Sequence, residues 1–152
     1  MEISLANIED ATEILRLQKQ AYQSEAAIYQ DYSIAPLTQT IEEIKGEFDN
    51  KLFLKAVSGE EIIGSVRAYS DGCCCFVGRL IVGPKWKGKG VGTKLMKTIE
   101  TYFTDVQRYE LFTGIKSEGN IRLYKRLGYK PFKEQVLNES ISLIYMEKIA
   151  SE

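Results

Sequence analysis

The chain reads as a mixed α/β domain in the order β-αα-βββ-α-β-α-ββ, with about seven strands and about four helices, and three features predict it. A continuous apolar run at 73–82 passes through Gly83 and Pro84 into a turn rich in glycine and lysine. An amphipathic segment starts at Val91, so the whole reads as buried strand, turn and helix. Ahead of it, runs at 52–57 and 62–69 are bounded by the turn signals Ser58-Gly-Glu60 and Ser70-Asp-Gly72, which makes a three-strand meander. Near the start, Ala11, Ile14, Leu15, Ala21 and Tyr22 recur at helical spacing. With 152 residues, 44% hydrophobic and 27% charged, one domain spanning 1–152 is long enough to bury a full core.

Taken in order, a first strand is expected at 3–6. Asn7 can cap the helix that follows, with Asp10 in the capping-box place. Between 22 and 37 the period is lost: the segment is rich in Tyr, carries Glu25 and Asp31, and reaches Pro36 before a second helix at about 38–48. The helix after the glycine turn is expected to bury Val91, Leu95, Ile99 and Tyr102. A strand at 109–115, a short helix at 120–127 closed by Gly128, and a hairpin of 129–136 with 140–148 complete the chain.

Charge and composition narrow the partners. The formal net charge is −1, yet Lys85, Lys87, Lys89, Lys94 and Lys97 crowd the glycine turn, as a multiply charged anion would require. The acidic pairs Glu42-Glu43 and Glu47, Asp49 argue against a broad basic face, so no nucleic-acid partner is expected. No apolar run approaches the roughly 20 residues of a membrane span and residues 1–4 lack a signal-peptide pattern. A cytoplasmic protein without a membrane partner is therefore expected. Cys73, Cys74 and Cys75 in a row suit small apolar strand residues in a reducing compartment, a thiol near an acyl group being the sharper alternative. The chain has no histidine, which removes Ser-His-Asp and Cys-His machinery, and no metal site is expected.

Gly88, Gly90 and Gly92 alternate with Lys89 and Val91, so backbone amides can approach a phosphate at a helix N-terminus. Two familiar motifs nearly match. Gly83-Pro-Lys-Trp-Lys-Gly-Lys-Gly90 follows a P-loop, but Gly90 stands where Ser or Thr holds magnesium. Gly88-Lys-Gly-Val-Gly92 begins like a dinucleotide fingerprint, with its third glycine one residue early.

A third pattern fits. Lys87-Gly-Lys-Gly-Val-Gly92 resembles the acyl-CoA pyrophosphate loop of the GNAT superfamily of N-acetyltransferases, Q/R-x-x-G-x-G/A, with Lys87 in the Gln or Arg place. Val77-Gly-Arg-Leu-Ile-Val-Gly-Pro84 resembles that family's fourth strand. Asn120-Ile-Arg-Leu-Tyr-Lys-Arg-Leu-Gly-Tyr129 resembles its second signature, with Arg126 in a Lys place. The resemblance covers residues 73–129 in motif and the rest in layout. It implies a central, mostly antiparallel twisted sheet, acetyl-CoA (coenzyme A) as cofactor, and direct acetyl transfer to the primary amine of a small molecule or peptide.

The same resemblance implies roles for residues. The loop amides of Lys87, Gly88, Lys89, Gly90, Val91, Gly92 and Thr93 would hold the pyrophosphate, and the backbone of Leu80, Ile81 and Val82 would pair with the pantetheine arm. Asn120 would hydrogen-bond that arm, and Tyr124 would protonate the departing thiolate. Asn120 lies four residues before Tyr124, whereas many family members place their Asn seven before, where this chain has Ser117. In the family layout the segment after Tyr22 walls the acceptor cleft, which makes Glu25, Tyr29, Asp31 and Tyr32 candidates for substrate contact. Arg79 could recognise an acceptor carboxylate or form an ion pair near the sheet edge. For the base, the residues leave open Glu25, a tyrosinate or a relayed water. A non-catalytic acyl-CoA-binding module and a nucleotide-binding protein are the rival functions, and a homodimer is among the assemblies left open.

Overall fold

The structure, a computed structural model, describes residues 1–150. Residues 151 and 152, the end of the expected domain, lie outside the described residues. Strand β1 (Glu2–Leu5) leads through a 3-10 turn at Ile8–Asp10 into α1 (Ala11–Tyr29), α2 (Ala35–Thr38) and α3 (Ile41–Glu47). The meander β2 (Leu52–Ser58), β3 (Glu61–Asp71) and β4 (Cys74–Val82) follows. Then come α4 (Val91–Thr101), β5 (Arg108–Gly114), α5 (Glu118–Arg126), β6 (Lys130–Val136) and β7 (Ser142–Ile149). The seven strands form one sheet in the order β1-β2-β3-β4-β5-β7-β6. Neighbours are antiparallel except β4 and β5, which run parallel.

Each side of the sheet buries its own apolar cluster. Leu54, Val66, Val77, Leu95, Met96, Ile99 and Met146 pack where α4 covers one side. Ile14, Leu17, Ile44, Phe53 and Ile81 pack under α1 and α3 on the other. Cys75 belongs to the first cluster and burial pushes its thiol up to about 12, so it behaves as a small apolar strand residue.

Local signals act as the sequence predicts at several ends. Asn7 and Asp10 form the expected capping box, while Thr40 with Glu43 forms another, not singled out from the sequence, that starts α3 at Ile41 rather than near 38. The departures have physical reasons. Helix α1 continues to Tyr29, where a period broken by polar residues had read as a loop, and the extra turn α2 raises the helices from about four to five. Tyr22, Glu25 and Tyr29 share one face of α1, a face lined with hydroxyl and carboxylate groups that an apolar count overlooks. In α4 it is Met96, not Tyr102, that is buried with Val91, Leu95 and Ile99; Tyr102 is its C-cap and 43% exposed.

Candidate active site

Two local irregularities open the sheet at its middle. The paired register of β3 and β4 shifts between Ser65 and Arg67, so β4 carries one extra residue. The extra residue changes which side chains reach the α4 side. Cys75 and Val77 pack there, and so do Leu80 and Val82, a step of three where a regular strand takes two. Arg79 sits in that bulge with φ 49. A left-handed conformation costs a non-glycine residue about 1–2 kcal/mol, so neighbouring structure must hold it. Beyond Phe76 and Glu110 the parallel pairing of β4 with β5 ends, and the two strands no longer share ladder bonds.

The glycine loop closes one side of this opening. Gly90 is the N-cap of α4 with φ 84, a conformation that costs glycine nothing. Inside the turn, Lys94 N–H reaches back to Gly90 O at 3.0 Å, while the amides of Val91, Gly92 and Thr93 have no partner inside the helix. A cleft of about 490 Å³ brings together Leu80, Ile81, Val82, Lys87, Gly88, Gly90, Val91, Gly92, Thr93 and Asn120. Lys87 Nζ donates to Ser24 Oγ at 3.3 Å. Two of the sequence-derived candidates lie elsewhere. Lys89 is outside the cleft with its ammonium over the Trp86 ring, 5.5 Å from the centroid, and Tyr124 lines the neighbouring cavity. Arg122 and Arg126, one turn apart on α5, line the cleft; the sequence assigns Arg126 only a motif position and neither residue a site role. Their i, i+4 spacing beside a motif helix was the available signal.

The neighbouring cavity, about 820 Å³, lies between the end of α1, α2, the diverging strands and the β6–β7 loop. Glu25, Tyr29, Arg79, Asn120 and Tyr124 all line it, as does Asp31; Tyr32 does not and is 57% exposed. Tyr22, Glu25, Leu80 and Asn120 line both spaces, so the two meet there. Asn120 Nδ2 donates to Thr113 Oγ1 at 3.3 Å. Tyr124 is buried, and burial first, then the charges of Tyr22 and Glu25, raise its hydroxyl well above the ordinary value of 10.0. It stays protonated throughout the neutral range.

Glu25 and Tyr29 are tied by a chain of hydrogen bonds whose direction is set by its ends. Lys116 N–H donates to Tyr29 Oη at 3.0 Å, Tyr29 and Ser117 hydroxyls are 2.7 Å apart, and Ser117 Oγ donates to Glu25 Oε1. An amide can only donate and a carboxylate only accept, so Tyr29 donates to Ser117 and every hydroxyl in the chain is satisfied. Tyr29 therefore holds the end of α1 against β5 and α5 as well as lining the cavity. Gly114 permits this, since a Cβ there would overlap the Tyr29 hydroxyl.

Deeper in the cavity is a cluster the sequence did not reveal. Arg67 is 3% exposed, and its Nη2 donates to Gln18 Oε1 at 3.0 Å and to Gln39 Oε1 at 3.1 Å. Its Nε lies 3.2 Å from Glu47 Oε1, its guanidinium lies over the Phe53 ring, and Lys51 also pairs with Glu47. Burial lowers Arg67 to about 10; Glu47 pulls it up and Arg79 pushes it further down. Glu47 is raised by burial, but the hydrogen bond from Lys51, the charge of Arg67 and the hydrogen bond from Gln39 outweigh this and leave it below the ordinary value. Arg79 has no ion-pair partner among the described residues, and its buried Nε has no hydrogen-bond partner.

The family model for the acetyltransferase (GNAT) family matches residues 11–129. A search of curated protein sequences found no match. Among solved structures, a Streptococcus mutans protein superposes with a TM-score of 0.84 at 17% identity, covering 98% of this chain and 99% of that one. The PaiA N-acetyltransferase from Thermoplasma acidophilum, in complex with coenzyme A, gives 0.82 at 19% identity over 99% and 100%. The ribosomal-protein-S18-alanine N-acetyltransferase from Escherichia coli gives 0.75 at 13% identity over 99% and 94%. At such identities the likeness is one of fold.

Proposed function

The chain belongs to the GNAT acetyltransferase family, whose acetyl donor is acetyl-CoA, and on that premise we propose that it transfers an acetyl group directly to the primary amine of a small molecule or peptide. We read the whole chain, 1–152, as one such domain. The meeting of the two spaces at Tyr22, Glu25, Leu80 and Asn120 carries this reading, because it sets a donor cleft and an acceptor cavity edge to edge. A cytoplasmic setting is read from the three consecutive thiols, all unpaired.

The residues present fit coenzyme A. Unpartnered amides at Val91, Gly92 and Thr93, with Lys87, Arg122 and Arg126 around them, suit a pyrophosphate. The strand backbone from Leu80 to Val82, free of β5, suits an amide-bearing arm, with Asn120 opposite. When bound, acetyl-CoA supplies a thioester carbonyl carbon for the amine to attack and a sulfur that leaves. The C–N bond forms as the C–S bond breaks, so the amine loses one proton and the sulfur needs one. Tyr124, held protonated by burial, is the donor to the sulfur. Glu25, half-buried and oriented by Ser117, is the side chain best set to take the amine proton, directly or through water.

The test is calorimetric titration with acetyl-CoA, with CoA and with ATP plus magnesium, followed by thiol release with a panel of amines. Acetyl-CoA binding with amine-dependent thiol release is the expected result. Binding without any release, insensitive to Tyr124→Phe, would mean a non-catalytic acyl-CoA-binding module. Preference for ATP would overturn the assignment of the loop.

A further inference from the structure

The acceptor cavity carries charges of both signs at separate places, and this arrangement names a substrate class. Four carboxylates and three cations line it, but most are already engaged. Glu110 pairs with Arg108, Asp31 at the rim accepts from Ser33, and Glu47 is shared by Lys51 and Arg67. What is left is Arg79, a guanidinium without an ion-pair partner among the described residues, and Glu25, which accepts a hydrogen bond from a serine hydroxyl and pairs with no cation among them. Tyr22 lines the same cavity; burial raises its hydroxyl, and the charges of Arg79 and Glu25 act on it in opposite directions. A cation and an anion near one tyrosine in a single cavity match an ammonium and a carboxylate separated by a few bonds. Beyond them the cavity is aromatic and aliphatic, with Phe76, Phe112, Leu143 and Tyr145.

The β4 bulge supports the same conclusion. It gives Arg79 its left-handed backbone in place of a regular strand conformation, and bulges beside functional sites commonly re-aim a side chain. Arg67 reinforces the positive end: the charge of Arg79 acts against it, and among the described residues Arg67 is paired with Glu47 while Arg79 is paired with no carboxylate. An incoming carboxylate relieves that repulsion.

Resting on the acetyltransferase reading, we propose that the acceptor is a free amino acid with an apolar side chain. Its carboxylate binds Arg79, its amine lies at Glu25 toward Tyr124, and its side chain packs among Phe76, Phe112 and Tyr145. The chemistry excludes polyamines and amines lacking an anionic group as preferred acceptors.

The experiment compares acetylation of phenylalanine and leucine with that of their amides and of spermidine, in the wild-type protein and in Arg79→Gly. Glycine tolerates φ 49, so this variant removes the guanidinium without opposing the bulge. In the wild type, kcat/KM for the amino acids should exceed that for the amides on the order of 10²-fold, and Arg79→Gly should bring the ratio toward one. A second readout does not depend on turnover: calorimetry in the presence of CoA should show N-acetylphenylalanine binding more tightly than its amide, with the difference lost in Arg79→Gly. Amides or spermidine used as well as amino acids, or a preference unchanged in the variant, would overturn the proposal. If acetyl-CoA binds yet no amine is acetylated, the transferase reading falls and this one with it.

Discussion

The glycine-loop cleft and the larger cavity beside it are built from different materials. The cleft is mostly backbone: three helix-start amides, a left-handed Gly90 and a strand stretch without a β5 partner, all within 80–93. The cavity is mostly side chains drawn from α1, α2, β3, β4, β5, α5 and the β6–β7 loop. A site made of backbone is sensitive to conformation and tolerant of side-chain change. A site made of side chains is the reverse, and a ligand can be selected there by swapping a few of them.

The largest effect should come from breaking the backbone half. Proline fixes φ near −65°, opposite to the 84° of Gly90, so Gly90→Pro should weaken acetyl-CoA binding by on the order of 10³-fold. Calorimetry would measure this, with far-UV dichroism checking that the sheet survives. By contrast Thr93→Ala, which leaves the amide in place, should change affinity by less than about tenfold; equal losses in both variants would refute the backbone account.

Next in size is the chemistry proposed for Tyr124 on the cavity side. Tyr124→Phe should lower kcat by about 10²–10³-fold while acetyl-CoA still binds, since it removes only a protonated hydroxyl. Stopped-flow thiol release would resolve the two quantities. A normal kcat would mean that the proton arrives by another route.

Gly114 sharpens the comparison because here a glycine serves a side chain. Gly114→Ala should cost about 1–3 kcal/mol by displacing Tyr29 and loosening the end of α1. Urea melts would show this, and Tyr29→Ala in the same chain should make the added methyl nearly neutral. If the two costs simply add, the contact is not the cause.

The smallest effect is electrostatic. Because Glu47 has a folded-state pKa below its ordinary 4.5, its stabilising ion pairs are complete above that pH and are lost as pH falls through the folded value. Glu47→Gln should therefore flatten the decline of thermal stability below about pH 4.5, at the cost of lower stability at pH 7. An unchanged acid limb in the variant would assign the decline to other carboxylates.

Much of the fold was legible because its signals are local. The capping box at Asn7, the turns of the meander and the strand-loop-helix around Gly90 each depend on a few neighbouring residues. The cleft shared that property, and most of its expected contacts line it. The cavity did not. Tyr22, Glu25 and Tyr29 form a helix face whose polar groups hide its period, and the relay through Ser117 joins residues 88 and 92 positions apart. Nothing in the sequence sets Arg67 apart, because Gln18, Gln39 and Glu47 reach it from distant parts of the chain.

By itself, then, the sequence determined the order of most elements, the family and the strand-turn-helix around Gly90, since steric preference and hydrogen-bond capacity of adjacent residues suffice for these. Only the tertiary structure decided which charges are paired and which are left facing the cavity. That depends on burial and on contacts across the sheet, and neither is a property of any short stretch of chain.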